Sequence, residues 1–302
     1  QGWRPERAVE IITSSDAGGS NDLVARSIQR IVQEAKQVPV PINVINKPGG
    51  NQTLAVVYLN GFAGNAHYLL LANPTVFTNQ LAGITPMHYT ELVPVALLLA
   101  EHSVISVRAG APFRTLRDVV ERLKPDPTAL AIGTVARGGT NHLTLALALR
   151  AAGVDVRRLK IAIFKTNAES MTALAGGHLD LVVSSVNSAA PQVRAGGARL
   201  LAVASDRRLS GAFAGVPTLR EQGIDSYATS WRAIFGPRGM PAAGVAYWEE
   251  VLARLAATDD WKKELEAYDW SGQFLRNREF ARFLEQDYAA TRSIMADLGL
   301  TK

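Results

Sequence analysis

The sequence predicts an α/β fold in two lobes, and three observations carry that prediction. Short apolar runs alternate with amphipathic stretches over most of the 302 residues, the pattern of sheets with crossover helices. That length can fill two cores more comfortably than one. A Gly-Gly-(Ser/Thr)-Asn turn also occurs twice, 120 residues apart, each time between a strand-like run and a helix-like run.

Taken in order, Val9–Thr13 reads as a strand and residues 23–36 as a helix with Val24, Ile28, Ile31 and Ala35 on one face. Ile42–Asn46 is a second strand, and Lys47-Pro48-Gly49-Gly50 turns the chain into a helix near Gln52. Tyr68–Ala72 is a third strand, ending at Asn73-Pro74-Thr75. A second series follows: a strand at 104–107, a helix opened by Thr115 and Asp118 as a capping box, and strands at 130–133, 160–164, 179–184 and 199–204. Helices at 142–152, 168–175 and 189–195 separate them. Such alternation implies largely parallel sheets. Thr218 and Glu221 form another capping-box pattern before Gly223. Beyond a strand at Ser230–Gly236 the chain reads as helical, with Asn277 as an N-cap and Phe280, Phe283, Leu284 and Ile294 facing the core. The doubled turn places residues 1–103 and 226–302 in one discontinuous lobe and 104–225 in the other. The C-terminal helices, with no strands of their own, would pack on lobe one.

Composition narrows the function classes. Hydrophobic residues at 47% and charged residues at 20% are an ordinary globular balance. The formal charge is +5, but lysine and arginine are scattered and no basic tract suggests nucleic acid. The absence of cysteine removes disulfides, thiolate catalysis and cysteine-bound metals. No apolar run approaches the roughly 18 to 20 residues of a membrane span, so no membrane insertion is expected. The five histidines show no metal-ligand spacing, and no nucleophile elbow, P-loop or zinc-protease motif is present. The pattern favours binding without cofactor or metal over turnover.

The candidate residues cluster at strand ends. Paired glycines let the backbone approach a ligand closely, and a helix N-terminus attracts anions. The first turn offers Ser14, Ser15, Asp16, Ala17, Gly18, Gly19 and Ser20; the second offers Thr134, Arg137, Gly138, Gly139, Thr140 and Asn141. Backbone N–H groups of 17–20 and 138–141 are the expected anion donors, and together the two turns would grip a small anion from both sides. Arg137 suits a carboxylate through its fork. Asn73, Thr75, Lys165, Ser184 and Asn187 add polar groups at other strand ends, and Arg232 stands in an otherwise apolar strand beside Trp231. Asp22 and His142 follow the glycines as capping groups, or as the acid/base pair of an enzyme. Against each of these stands a plain alternative: an N-cap, an Asx turn or a solvated arginine.

Over nearly its whole length the chain resembles the substrate-binding proteins of tripartite tricarboxylate transporters, the TctC or Bug family. The anchors are Ala17-Gly18-Gly19 with Asp22, Asn46-Lys47-Pro48-Gly49, Tyr68-Leu69-Leu70-Leu71, Pro94-Val95-Ala96, and Gly133 through Thr140 to His142. Further along come Leu174-Ala175-Gly176-Gly177-His178-Leu179-Asp180, Arg199-Leu200-Leu201-Ala202-Val203, Val216-Pro217-Thr218 and Ser230-Trp231. The resemblance implies a type II periplasmic binding protein, two α/β lobes with a ligand cleft between them. It also implies a monomer acting in the periplasm after loss of a signal peptide, with a small organic carboxylate (a di- or tricarboxylate, or an aromatic acid) and membrane transporter subunits as partners. The two turns would clasp the carboxylate, partly through ordered water. The family's turn commonly reads Pro-Phe-Pro-Ala-Gly-Gly, whereas this chain has Thr13-Ser14-Ser15-Asp16-Ala17-Gly18-Gly19. Asp16 therefore brings a carboxylate to an anion site, either to pair with Arg137 or to meet a cationic group of an amino acid or other zwitterion. Ser184, Asn187 and Arg232 also depart from the family pattern.

Overall fold

The computed structural model describes residues 2–302, and its chain divides into two units. Unit one comprises residues 2–100, Trp231–Arg292 and Thr301–Lys302; unit two comprises Glu101–Ser230 and Ser293–Leu300. Residues 293–300, which the sequence assigns to the first lobe, group with unit two. Arg150 forms an ion pair with the Asp297 carboxylate, and the Arg157 guanidinium donates to the Asp297 carbonyl at 2.7 and 3.1 Å.

Unit one is built on a six-stranded sheet in which β1 (Val9–Thr13), β2 (Ile42–Asn46), β3 (Tyr68–Ala72), β4 (Val93–Glu101), β10 (Ser230–Gly236) and β11 (Ser271–Arg276) take the order β11-β4-β10-β3-β1-β2. β1 runs parallel to β2 and β3, while β10 is antiparallel to β3 and β11 antiparallel to β4. The sheet is thus mixed, and β11 is a strand where the sequence shows only helices. β11 is a half-exposed edge without apolar alternation, so its pairing with β4 defines it. Helix α1 (Ser20–Glu34) buries Val24, Ile28, Ile31 and Val32 in a core with Ile11, Leu69, Leu98, Trp248 and Trp261. The short α2 (Thr53–Asn60) and α3 (Thr75–Leu81) follow β2 and β3; α8 (Ala242–Ala257) and α9 (Asp259–Ala267) add Trp248 and Trp261. The last helix, α10 (Asn277–Asp297), buries Phe280, Leu284 and Ile294 and leaves Phe283 half-buried. Asn277 is its first residue, not its cap: its side chain donates to the Pro94 carbonyl at 2.6 Å.

Unit two carries a five-stranded sheet of β5 (Ser103–Arg108), β6 (Ala131–Thr134), β7 (Lys160–Ile163), β8 (Leu181–Ser185) and β9 (Ala198–Val203), in the order β7-β6-β8-β5-β9. β6 is parallel to β7 and β8, and β5 antiparallel to β8 and β9. Its helices are α4 (Leu116–Leu123), α5 (Thr140–Ala151), α6 (Asn167–Ala175) and α7 (Val186–Arg194). The Thr115–Asp118 capping box forms as its sequence implies. The Thr218–Glu221 box forms too, with bonds of 3.1 and 2.8 Å, but it opens only a single 3-10 turn ended by Gly223 in the left-handed region.

Candidate functional site

The two glycine turns have one backbone design. Gly18 and Gly138 hold φ of 82° and 79°, a left-handed conformation that glycine adopts without strain. Gly19 and Gly139 then cap α1 and α5 in extended conformations, φ −72°, ψ 165° and φ −74°, ψ 164°. Each turn is closed from within. Gly19 N–H donates to the Asp16 carbonyl at 3.0 Å and Gly139 N–H to the Ala136 carbonyl at 3.2 Å. Gly18 N–H donates to Asp22 Oδ2 at 2.8 Å, and Gly138 N–H to His142 Nδ1 at 2.9 Å. The glycine N–H groups expected for a ligand are therefore committed to shaping the turns. The free donors lie one step further on, as helix geometry requires. Among the described residues the N–H groups of Asn21, Thr140, Asn141 and His142 meet no acceptor.

Around the first turn, Asp22 is almost fully buried and also accepts from Arg26 Nε at 2.9 Å and Asn46 Nδ2 at 2.8 Å. Burial works to raise its pKa, but the hydrogen bonds from Arg26, Gly18 and Asn46 outweigh that and hold it below the usual carboxylate range. Ser15 Oγ accepts from Asp22 N–H at 2.8 Å, so this hydroxyl serves the turn itself. Asp16 and Ala17 are exposed. Arg232, 6% exposed in the centre of β10, donates to Ser20 Oγ at 3.2 Å and to the Trp231 carbonyl at 3.0 Å. A fixed positive charge thus stands at the start of α1. Asn73 Oδ1 accepts from Thr75 N–H at 2.9 Å, an Asx turn just ahead of α3, whose N-cap is Pro74.

In unit two, Thr134 ends β6 fully buried, and its hydroxyl has no hydrogen-bond partner among the described residues. Ser103 Oγ donates to Asn141 Oδ1 at 2.7 Å, and Asn141 Nδ2 reaches Asn167 Oδ1 at 3.4 Å, so the second turn is tied to the starts of β5 and α6. His142 is held well below its ordinary value, at about 4, by burial and then by the charge of Arg137. The imidazole is therefore a neutral acceptor for Gly138 N–H. Arg137 is exposed and lines a recess of about 250 Å³ with Arg157, Leu159, Ile161 and Leu298. Lys165 is exposed; its backbone N–H donates to Glu169 at 3.2 Å. Ser184 is buried and bonds the Ser185 carbonyl at 3.3 Å, while Asn187 Oδ1 accepts from Ser185 Oγ at 2.6 Å.

Asn21 and Gln52 sit beside Ser14, and Ser103 and Asn167 beside Asn141. Asn21, the last residue of the first Gly-Gly-(Ser/Thr)-Asn turn, and Asn167, which follows Lys165-Thr166 at a strand end, are legible in the sequence as polar groups at strand ends. Gln52 and Ser103 go unseen, because a turn and a strand distant in sequence bring them in. Among the described residues no group of three or more histidine or acidic side chains could hold a metal, and no helix is long and apolar enough to cross a membrane.

Two α/β units with these sheet orders have the fold of periplasmic solute-binding proteins. A Rhodopseudomonas palustris protein solved with adipate superposes with a TM-score of 0.82 at 23% identity, over 98% of this chain and 99% of that one. MatC of the same organism, with bound malate, gives 0.77 at 22% identity over 96% and 99%. In sequence, a UPF0065 protein of Cupriavidus necator is 27% identical over 301 residues, covering 99% of this chain and 89% of the relative. The model of the "Tripartite tricarboxylate transporter family receptor", TctC, matches residues 24–300. The chain belongs to the TctC family.

Proposed function

We propose that this protein is a periplasmic receptor that captures a small organic carboxylate and hands it to the membrane subunits of a tripartite transporter, acting as a monomer and without catalysis. One observation carries the reading: each unit presents a glycine-shaped turn whose following helical N–H groups lack an intramolecular acceptor among the described residues, at Asn21 and at Thr140 to His142. Such donors, at a positive helix end, suit a carboxylate. Ser14, Ser20 and Arg232 in unit one, and Thr134, Thr140 and Asn141 in unit two, are the side chains we assign to the ligand. Support also comes from the similar proteins that carry adipate and malate. Asp22 and His142, the potential acid and base, instead accept the turn N–H groups. Calorimetric titration of ligand-stripped protein with a panel of mono-, di- and tricarboxylates tests the proposal. Saturable binding of at least one is expected; binding of none overturns it.

Asp16 favours one second reading. It is exposed, and within unit one its turn is closed through its backbone carbonyl rather than its carboxylate, so an ammonium group could be the carboxylate's partner. A zwitterion receptor would lose affinity for amino acids in Asp16→Ala and keep it for simple carboxylates; unchanged amino-acid affinity rejects that role.

A further inference from the structure

Ser14 joins two buried amides. Its Oγ accepts from Asn21 Nδ2 at 3.1 Å and donates to Gln52 Oε1 at 3.3 Å. Asn21 and Gln52 are each only 4% exposed, yet Asn21 Oδ1 and Gln52 Nε2 have no hydrogen-bond partner among the described residues. A buried polar atom without a partner is costly, and native structures keep one where something outside the chain supplies the bond.

The two unsatisfied ends are complementary, one acceptor and one donor. Turning both amides over does not change this. A serine hydroxyl has a single proton, so as a relay it donates to one amide oxygen and accepts from the other amide nitrogen. The ends left over are then one nitrogen and one oxygen in either sense of the relay.

The backbone gives a second, independent sign. Gly49, Gly50, Asn51 and Gln52 hold φ of 117°, 56°, 49° and 80°, four left-handed residues in succession. Glycine takes this conformation freely and asparagine tolerates it; glutamine has no local reason to. Strain of this kind is retained where the side chain it places is needed.

We infer that Ser14, Asn21 and Gln52 form a subsite for a ligand hydroxyl, which makes the preferred ligand a hydroxycarboxylate. The inference rests on the carboxylate reading above. A hydroxyl donates and accepts at one atom and so matches both free ends. A carboxylate only accepts and would face the Asn21 oxygen; an ammonium only donates and would face the Gln52 amide nitrogen. A primary amide or a trapped water shares the hydroxyl's two-way chemistry, and the test separates them.

Calorimetric titration of ligand-stripped protein would compare malate with succinate, and 3-hydroxyadipate with adipate, with succinamate as the amide control. The hydroxylated member of a pair is expected to bind about 10- to 100-fold tighter, the range set by one or two hydrogen bonds to buried groups. Gln52→Met is expected to bring the pair within about threefold, chiefly by weakening the hydroxylated member. Gln52→Gly, which removes the donor and suits the left-handed backbone, should fold at least as well and lose the same discrimination. Equal binding of both members by the wild-type protein, as a trapped water would give, overturns the inference and leaves the carboxylate reading standing. Tighter binding of succinamate than of malate also overturns it. Binding of none of the acids overturns the reading and the inference together.

Discussion

Asp22 and His142 stand four residues after the first glycine of their turns, and both accept its N–H. The chemistry differs, and so should the response to pH. The His142 imidazole, pushed down to about 4 from an ordinary 6.5 by burial and Arg137, stays neutral in the fold but charges in the unfolded chain. Its stabilisation is fully present above pH 6.5 and is lost as pH falls toward 4, about 3 kcal/mol across the window. Asp287, whose carboxyl accepts from Trp231 Nε1 and is pushed up to about 6 by burial, works in the opposite sense: the fold gains as pH falls through 6. His142→Asn keeps an acceptor that cannot titrate. Urea unfolding from pH 7 to 4.5 should therefore show a loss smaller than the wild type's by about 2 kcal/mol; an unchanged slope would clear His142. Asp22→Ala leaves Gly18 N–H, Arg26 and Asn46 without their acceptor, and should cost about 2 to 4 kcal/mol and weaken carboxylate binding. Unaltered melting would show that the turn holds without it. Gln52→Gly should raise stability by about 1 kcal/mol through relief of the left-handed backbone.

At the scale of elements, the legible parts of the chain are those whose signals are local. Both glycine turns, the Thr115 capping box and strands β1, β2 and β3 follow from residues adjacent in sequence. β4 and α3 escape because one is apolar almost throughout and the other is a seven-residue helix behind a proline. β11 depends on β4, more than 160 residues upstream, for its hydrogen bonds, and no short window of sequence contains that partner. Gln52 escapes because nothing about glutamine announces a positive φ. The site is legible as two turns, then, but not in which atoms of those turns remain free. Packing between elements is equally strict: a Cβ built on Gly244 in α8 would lie 2.5 Å from the Ala66 side chain, ahead of β3. A backbone shift would be needed to admit it. Gly244→Ala should lower stability by about 1 to 3 kcal/mol despite alanine's higher helix propensity; an increase in melting temperature would mean that α8 moves more freely than this contact allows.

For the molecule as a whole, each unit has a core of its own, one around Trp248 and Trp261 and another around Ile132 of β6 with Leu145 and Leu181. A ligand that binds only the folded protein stabilises it by mass action, about 2.7 kcal/mol at a hundredfold excess over Kd. Unfolding entropy near 2.1 cal/mol/K per residue gives about 0.6 kcal/mol/K for a chain of 302 residues. If all 302 residues melt in one step, saturating carboxylate should raise the melting temperature by about 4 °C. If the units melt separately, the same free energy acts on a transition with roughly half the entropy, and the shifted transition moves by about 8 °C while calorimetric and van't Hoff enthalpies disagree. The shift should shrink as salt is added, because the ligand is an anion and the chain carries a formal +5. A panel of carboxylates at millimolar concentration that leaves every transition in place would count against a receptor for such acids, whatever the geometry of its turns.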